Sequence, residues 1–176
     1  MKKKATSDLN RLSVEQFAVT EKLPVAVVLD NIRSGHNTGS FFRTCDSFAV
    51  RRLVLCGITA TPPDREIHKT ALGAELTVAW SHCPSTVEAL EELRGEGYLI
   101  VAVEQVEGAV MLGRMEWERG RRYALVFGNE VSGVGQQAID LCDLALEIPQ
   151  AGTKHSLNVA VAGGAVLWDI FSAMTL

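Results

Sequence analysis

Several common signatures are missing from this sequence, and each absence removes a class of function. The four cysteines, Cys45, Cys56, Cys83 and Cys142, stand singly. With no C-x-x-C pair and no histidine at ligand spacing, reduced and mostly buried thiols are expected rather than disulfides or a thiolate metal site. His36, His68, His82 and His155 form no H-E-x-x-H pair, so no zinc site is expected. Lys2, Lys3 and Lys4 lead into Ala5-Thr6-Ser7-Asp8 without the apolar core of a signal peptide, which predicts a cytoplasmic protein. The longest apolar stretch, near the C-terminus, is interrupted by Asp169 and falls short of the about 20 residues a membrane span needs. The glycine-rich stretch Phe127 to Gly135 lacks the Lys-Ser/Thr of a P-loop, and G-x-G-x-x-G does not occur, so neither ATP nor NAD is supported. No repeat or low-complexity linker breaks the chain.

What is present suits one well-buried domain: 176 residues, 47% of them hydrophobic. The net charge of −4 argues against a protein coated in basic groups, but leaves nucleic acid open where basic residues cluster. Arg33, Arg43, Arg51 and Arg52 fall in one segment; a solvated face is the plainer account of such a run. Apolar runs at Val25 to Leu29, Leu53 to Leu55, Leu76 to Trp80, Tyr98 to Val103, Tyr123 to Phe127 and Leu144 to Ile148 read as about six strands. Helical patterns lie between them at 39–49, 64–72, 85–94, 135–141 and 156–172. The alternation predicts an α/β fold with a mainly parallel sheet and helices on both faces. Residues 1–22 read as a helical extension, with Ser13 and Gln16 placed for a capping box, and 23–176 as the main domain. Residues 104–121 read as a loop with one short helix.

Three stretches carry candidate chemistry. Asp30 to Gly39 is a polar loop leaving the carboxyl end of the first strand, where ligands bind in open α/β sheets. On the helix that follows, Phe41, Cys45 and Phe48 form an apolar stripe that leaves Arg43 accessible; a surface Arg43–Asp46 pair is the alternative. In Gly128-Asn129-Glu130-Val131-Ser132-Gly133 the glycines permit tight turns or close approach of a ligand, and Glu130 could equally favour the start of the helix near 135. The last helix is apolar on every side, which predicts burial all round. Asn158 in its first turn either caps it, with Ser156, or docks a polar partner.

These stretches also carry a resemblance. Asn31, Arg33, Asn37 and Arg43 look like the first signature motif of the SpoU/TrmH family of RNA ribose methyltransferases, within the SPOUT superfamily. Gly128-Asn129-Glu130 with Gly133 is similar to the second, and Ser156-Leu157-Asn158-Val159 after Ile148-Pro149 to the third. His68 to Ala74 resembles a lesser Lys-Thr-x-x-Gly-Ala marker. Gln150 and Ala160 depart from the usual apolar residue and Ser at those places. The resemblance implies a C-terminal trefoil knot, a homodimer, and S-adenosylmethionine held around Val103, Gly128, Ile148, Ser156 and Leu157. It implies methyl transfer to a ribose 2′-hydroxyl of tRNA or rRNA, with Arg43, Asn37, Glu130 and Asn158 as the catalytic set; within that set we expect Arg43 to lie against an RNA phosphate, Asn37 to orient Arg43, and Glu130 and Asn158 to fix the loops and the ribose. The basic tail of Lys2, Lys3 and Lys4 together with Arg33, Arg51, Arg52, Lys69 and Lys154 are the expected phosphate contacts. Two other readings stand beside it: a catalytically inactive knotted RNA-binding protein, and a small-molecule α/β enzyme of different chemistry.

Overall fold

The structure is a computed structural model that describes residues 1–9 and 11–176. Among the described residues seven strands form one sheet in the order β3-β2-β1-β6-β4-β7-β5, and every neighbouring pair is parallel. They are β1 (Leu23–Asp30), β2 (Val50–Cys56), β3 (Trp80–Cys83), β4 (Leu99–Val103), β5 (Val110–Met111), β6 (Tyr123–Phe127) and β7 (Leu144–Glu147). The central strands β1 and β6 are buried almost throughout, because a parallel strand covered on both faces needs an unbroken apolar run rather than an alternating one. The helices are α1 (Val14–Val19), α2 (Gly35–Ser47), α3 (Arg65–Ala71), α4 (Thr86–Gly95), α5 (Gln136–Ile139) and α6 (Val159–Thr175). Side chains of α2, α3 and α6 enter the core on one face of the sheet, and those of α4 and α5 on the other. No helix among the described residues is long and apolar enough to cross a membrane.

The expected capping box is formed: Ser13 Oγ accepts from Gln16 N, and Gln16 Oε1 accepts from Ser13 N. All four thiols are free, and burial pushes Cys45 and Cys56 up, Cys56 to about 12, which leaves both unreactive. α2 begins four residues before its expected start because Ser34 Oγ accepts from Asn37 N as the N-cap.

Two expectations are corrected. The strand expected at Leu76 to Trp80 is displaced towards the C-terminus. Gly73, at φ 94°, starts a 3-10 turn over Ala74–Leu76, held by the Glu75 carboxylate, which accepts from Gly73 N at 3.0 Å. Leu76 is left outside and the strand starts at Trp80. The last helix is not buried all round: Gly163, Val166, Leu167 and Ile170 face the core, whereas Val161 is 58% and Trp168 53% exposed. Asp169, the one charge within it, accepts from Trp117 Nε1 at 2.7 Å. Trp117 comes from the segment read as a loop with one short helix, which also supplies β5 and a 3-10 turn at Leu112–Arg114.

Candidate active site

Parallel strands release their loops at one edge, and here three loops distant in sequence meet at the carboxyl ends of β1, β6 and β7. The first, after β1, is shaped by Asn31. At φ 56° it turns the chain, while its Oδ1 accepts from Ile58 N and its Nδ2 donates to Asp30 Oδ1. The second folds back on itself after β6. Asn129 and Gly133 exchange backbone hydrogen bonds at 3.0 and 2.9 Å, and Asn129 Oδ1 accepts from Val131 N and Ser132 N. A Cβ at Gly128 would run into the backbone of Gly133 and Val134. The glycines of this stretch therefore serve the turn itself. The third loop, 148–158, ends where Asn158 Oδ1 accepts from Ala160 N and Val161 N and caps α6.

Side chains tie these loops together. Glu130 Oε2 accepts from Arg33 N at 2.9 Å, and its Oε1 accepts from Ser34 N at 3.1 Å and from Asn37 Nδ2 at 2.8 Å. Asn158 Nδ2 in turn donates to Asn37 Oδ1 at 3.1 Å. One residue from each of the three stretches thus joins a single chain, Glu130–Asn37–Asn158. Burial raises the Glu130 carboxyl, but the hydrogen bonds from Arg33 N, Asn37 and Ser34 N outweigh it and hold it below the usual carboxylate range. Both sequence readings of Asn158 are met at once: it caps the helix and docks a polar partner.

Asn37 does not orient Arg43. Its amide is committed to Glu130 and Asn158, and Arg43 lies six residues further along α2, about 9 Å along the axis. Arg43 is exposed, and its guanidinium makes no hydrogen bond or ion pair among the described residues. The alternative Arg43–Asp46 pair does not form either, because Asp46 Oδ1 accepts from Thr77 Oγ1 at 2.8 Å.

Beside the chain opens a cleft of about 570 Å³, within the usual size of small-molecule sites. Val103, Gly128, Ile148, Ser156 and Leu157 all line it, as do Glu130 and Asn158. Sequence reasoning missed Glu104 and Gln105 on the same wall. Glu104 Oε2 accepts from Val134 N, and Gln105 Nε2 donates to the His155 carbonyl. A charged residue directly after a buried strand, at the carboxyl edge, was the available signal. Asp30 was missed as well. At 4% exposure it accepts from Thr86 Oγ1, Asn31 Nδ2 and Gly135 N, so it holds the second loop from beneath.

The expected phosphate contacts divide. Arg33 and Lys154 are exposed on the site loops, and Lys69 stands on α3 beside the start of α2, paired with Glu66. Arg51 and Arg52 do not join them: they sit at the amino end of β2, where Arg52 is paired with Glu96 at 2.7 Å and lies over the Tyr98 ring. The lesser marker around His68 to Ala74 is explained by packing. Thr70 Oγ1 donates to the His36 carbonyl, and Gly39 lies so close to Thr70 and Ile67 that a Cβ would collide with them.

The family model described as SpoU rRNA Methylase family matches residues 24–168. The chain belongs to this family. It is 30% identical over 150 residues to the 23S rRNA (guanosine-2′-O-)-methyltransferase RlmB of Nitrosomonas europaea, covering 82% of this chain and 55% of that protein. It is 28% identical to the tRNA (guanosine(18)-2′-O)-methyltransferase of Thermus thermophilus, covering 93% of this chain and 82% of the relative. Among solved structures, the A. aeolicus TrmH/SpoU tRNA modifying enzyme superposes with a TM-score of 0.80 at 24% identity, over 91% of this chain and 81% of that one, a likeness of fold. The AdoMet-bound rRNA methyltransferase from Sinorhizobium meliloti superposes at 0.78 with 26% identity, over 85% and 56%. The chain spans 62% of the length of a TrmH-family relative from Staphylococcus saprophyticus and 55% of the Nitrosomonas protein.

Proposed function

We propose that this chain is an S-adenosylmethionine-dependent methyltransferase acting on a ribose 2′-hydroxyl of transfer or ribosomal RNA, with 23–176 as its catalytic domain and 1–22 as an extension. The observation that carries this reading is the Glu130–Asn37–Asn158 chain, which joins the three signature stretches at the mouth of the cleft. The 2′-O-methyltransferase activities in the relatives' names point the same way, as does the AdoMet bound in the Sinorhizobium structure.

The cleft's own chemistry suits that cofactor. Among the described residues no Lys or Arg lines it, which disfavours a phosphorylated nucleotide and suits an adenosyl group that carries no phosphate. Among the same residues, none of the backbone N–H groups from Gln150 to Leu157 finds a protein acceptor, so main-chain donors stand free for an adenine ring. When bound, S-adenosylmethionine would supply an electrophilic methyl group.

The protein's part is alignment. A ribose hydroxyl is a poor nucleophile, and holding it in line is worth up to about 7–11 kcal/mol of barrier. Glu130, with its three donors, fixes the first loop against the second, and Asn37 passes that constraint to Asn158 and the third. Arg43 is a permanent cation and a poor base; exposed and unpaired, it is placed to grip an RNA phosphate and steady the ribose. Arg33, Lys69 and Lys154 extend that surface.

The exposed apolar side of α6, with Leu157, Val161 and Trp168, supports a homodimer in which a second copy covers it. A knotted C-terminus is supported by the path after β7: Gln105 holds the His155 carbonyl beside β4, and Asn158 then reaches α2. An RNA substrate favours the cytoplasm. The test is transfer of labelled methyl from S-adenosylmethionine to unmodified transfer and ribosomal RNA, with nucleoside analysis of the product. Ribose-methylated nucleosides with wild type and not with Arg43→Ala are expected; failure to bind the cofactor would overturn the reading.

A further inference from the structure

We propose that Glu104 is a specificity-determining residue of the cleft, the fixed negative charge by which it holds the cationic methyl donor more tightly than the uncharged product left after transfer. The proposal rests on the methyltransferase reading. Glu104 follows β4 directly, and its carboxylate is locked: Oε2 accepts from Val134 N at 2.9 Å, and Oε1 accepts from Gln105 N at 2.8 Å. It cannot swing aside, and the second loop is built around it, because a Cβ at Gly133 would collide with Oε2.

Among the described residues that carboxylate enters no ion pair, and the charged residues lining the cleft are Glu104 and Glu130, with no Lys or Arg. Glu130 is shared among three donors, two of them backbone N–H. Glu104 is also half-buried, so its charge is incompletely screened by water. The N-terminus of α6, which also borders the cleft, adds a partial positive charge, but Asn158 already caps its first free N–H groups.

S-adenosylmethionine and S-adenosylhomocysteine differ by one methyl group and one positive charge. A neutral tie to Val134 N would hold the loop equally well; a carboxylate there adds a field that only the charged member of the pair feels. For a partly exposed pair, this difference corresponds to about five- to tenfold in affinity.

The test is calorimetric titration of wild type and Glu104→Gln with S-adenosylmethionine, S-adenosylhomocysteine and sinefungin, whose ammonium restores a positive charge near the sulfonium position. Glu104→Gln should weaken S-adenosylmethionine and sinefungin by about five- to tenfold and S-adenosylhomocysteine by less than about twofold. In the unaltered protein, raising the salt concentration should weaken the two cations and leave the product's affinity nearly unchanged, a readout that needs no variant. Equal losses for all three ligands, or equal salt dependence, would overturn the proposal and reduce Glu104 to a loop tie. If wild type bound none of the three, the methyltransferase reading itself would fall, and this inference with it.

Discussion

The two ends of this sheet use their carboxylates differently. At the carboxyl end Asp30, Glu104 and Glu130 accept hydrogen bonds from the main chain of Gly135, Val134, Arg33 and Ser34. At the amino end Glu96 meets Arg52 at 2.7 Å and Asp143 meets Arg94 at 3.1 Å; only Asp143 also reaches a main-chain group, Ile100 N. A half-exposed guanidinium pair such as either of these contributes on the order of 1 kcal/mol. A carboxylate that gathers N–H groups from a loop without regular structure decides where that loop sits. The amino end rests mainly on strand register, with Asp143 tying Ile100 N, whereas the carboxyl end takes its shape from a few acidic side chains.

The largest expected effect tests that contrast directly. Glu130→Ala removes the acceptor for Arg33 N, Ser34 N and the Asn37 amide, and misplacing the loops by about 1 Å should cost about a hundredfold in methyl transfer. Glu96→Ala, at the other end, should leave transfer within about twofold. Equal losses in the labelled-methyl assay would mean that the two ends do not differ in kind. Next comes a pair of neighbours on α6. A Cβ at Gly163 would collide with the Phe41 ring, whereas at Gly164 it meets nothing within 4 Å. Gly163→Ala should destabilise the fold by about 1–3 kcal/mol through overpacking. Gly164→Ala should raise stability by up to about 1 kcal/mol from helix propensity, as read by thermal unfolding. If a second copy covers that face, the same substitution should weaken the dimer in sedimentation.

What the sequence made legible follows the reach of its signals. Continuous apolar runs such as Val25 to Leu29 announce buried parallel strands because nothing else buries both faces. Ser156-Leu157-Asn158 announces a helix start because an uncapped one would leave its N–H groups unpaired. The amphipathic stripe on α2 correctly left Arg43 outside. Trp80-Ser81-His82-Cys83 was missed because an edge strand with exposed residues has no apolar run, while Leu76 and Val78 upstream imitated one. Pairing at the site was less legible still. Asn37 and Glu130 are 93 residues apart, and no local periodicity says that an amide will choose a distant carboxylate over an Arg on its own helix. Nor could spacing place Arg51 and Arg52 at the far end of the sheet, since charge clustering in sequence says nothing about which end of a strand carries it.

Acid should test the Glu130 chain by itself. Glu130 is held below the ordinary carboxylate value of 4.5, so its contribution to stability is fully present above that value and is lost as pH falls through its lower folded value. Unfolding followed from neutral pH downward should show a loss of stability below about 4.5 that is smaller in Glu130→Gln; an unchanged acid limb would show that the hydrogen bonds to Glu130 do not favour its charged form in solution.

The smallest effects distinguish the basic groups. Arg33→Ala and Lys154→Ala, on the site loops, should each lower the salt slope of RNA binding by about 1. Arg52→Ala should leave that slope unchanged, because its guanidinium is already spent on Glu96 and Tyr98 at the opposite end of the sheet. Its cost should appear instead in stability, about 1–2 kcal/mol, from the lost Glu96 pair and the lost cover over the Tyr98 ring. A salt slope that fell with Arg52→Ala as much as with Arg33→Ala would mean that RNA reaches around the sheet to its amino end, and that the Glu96 pair opens to receive it.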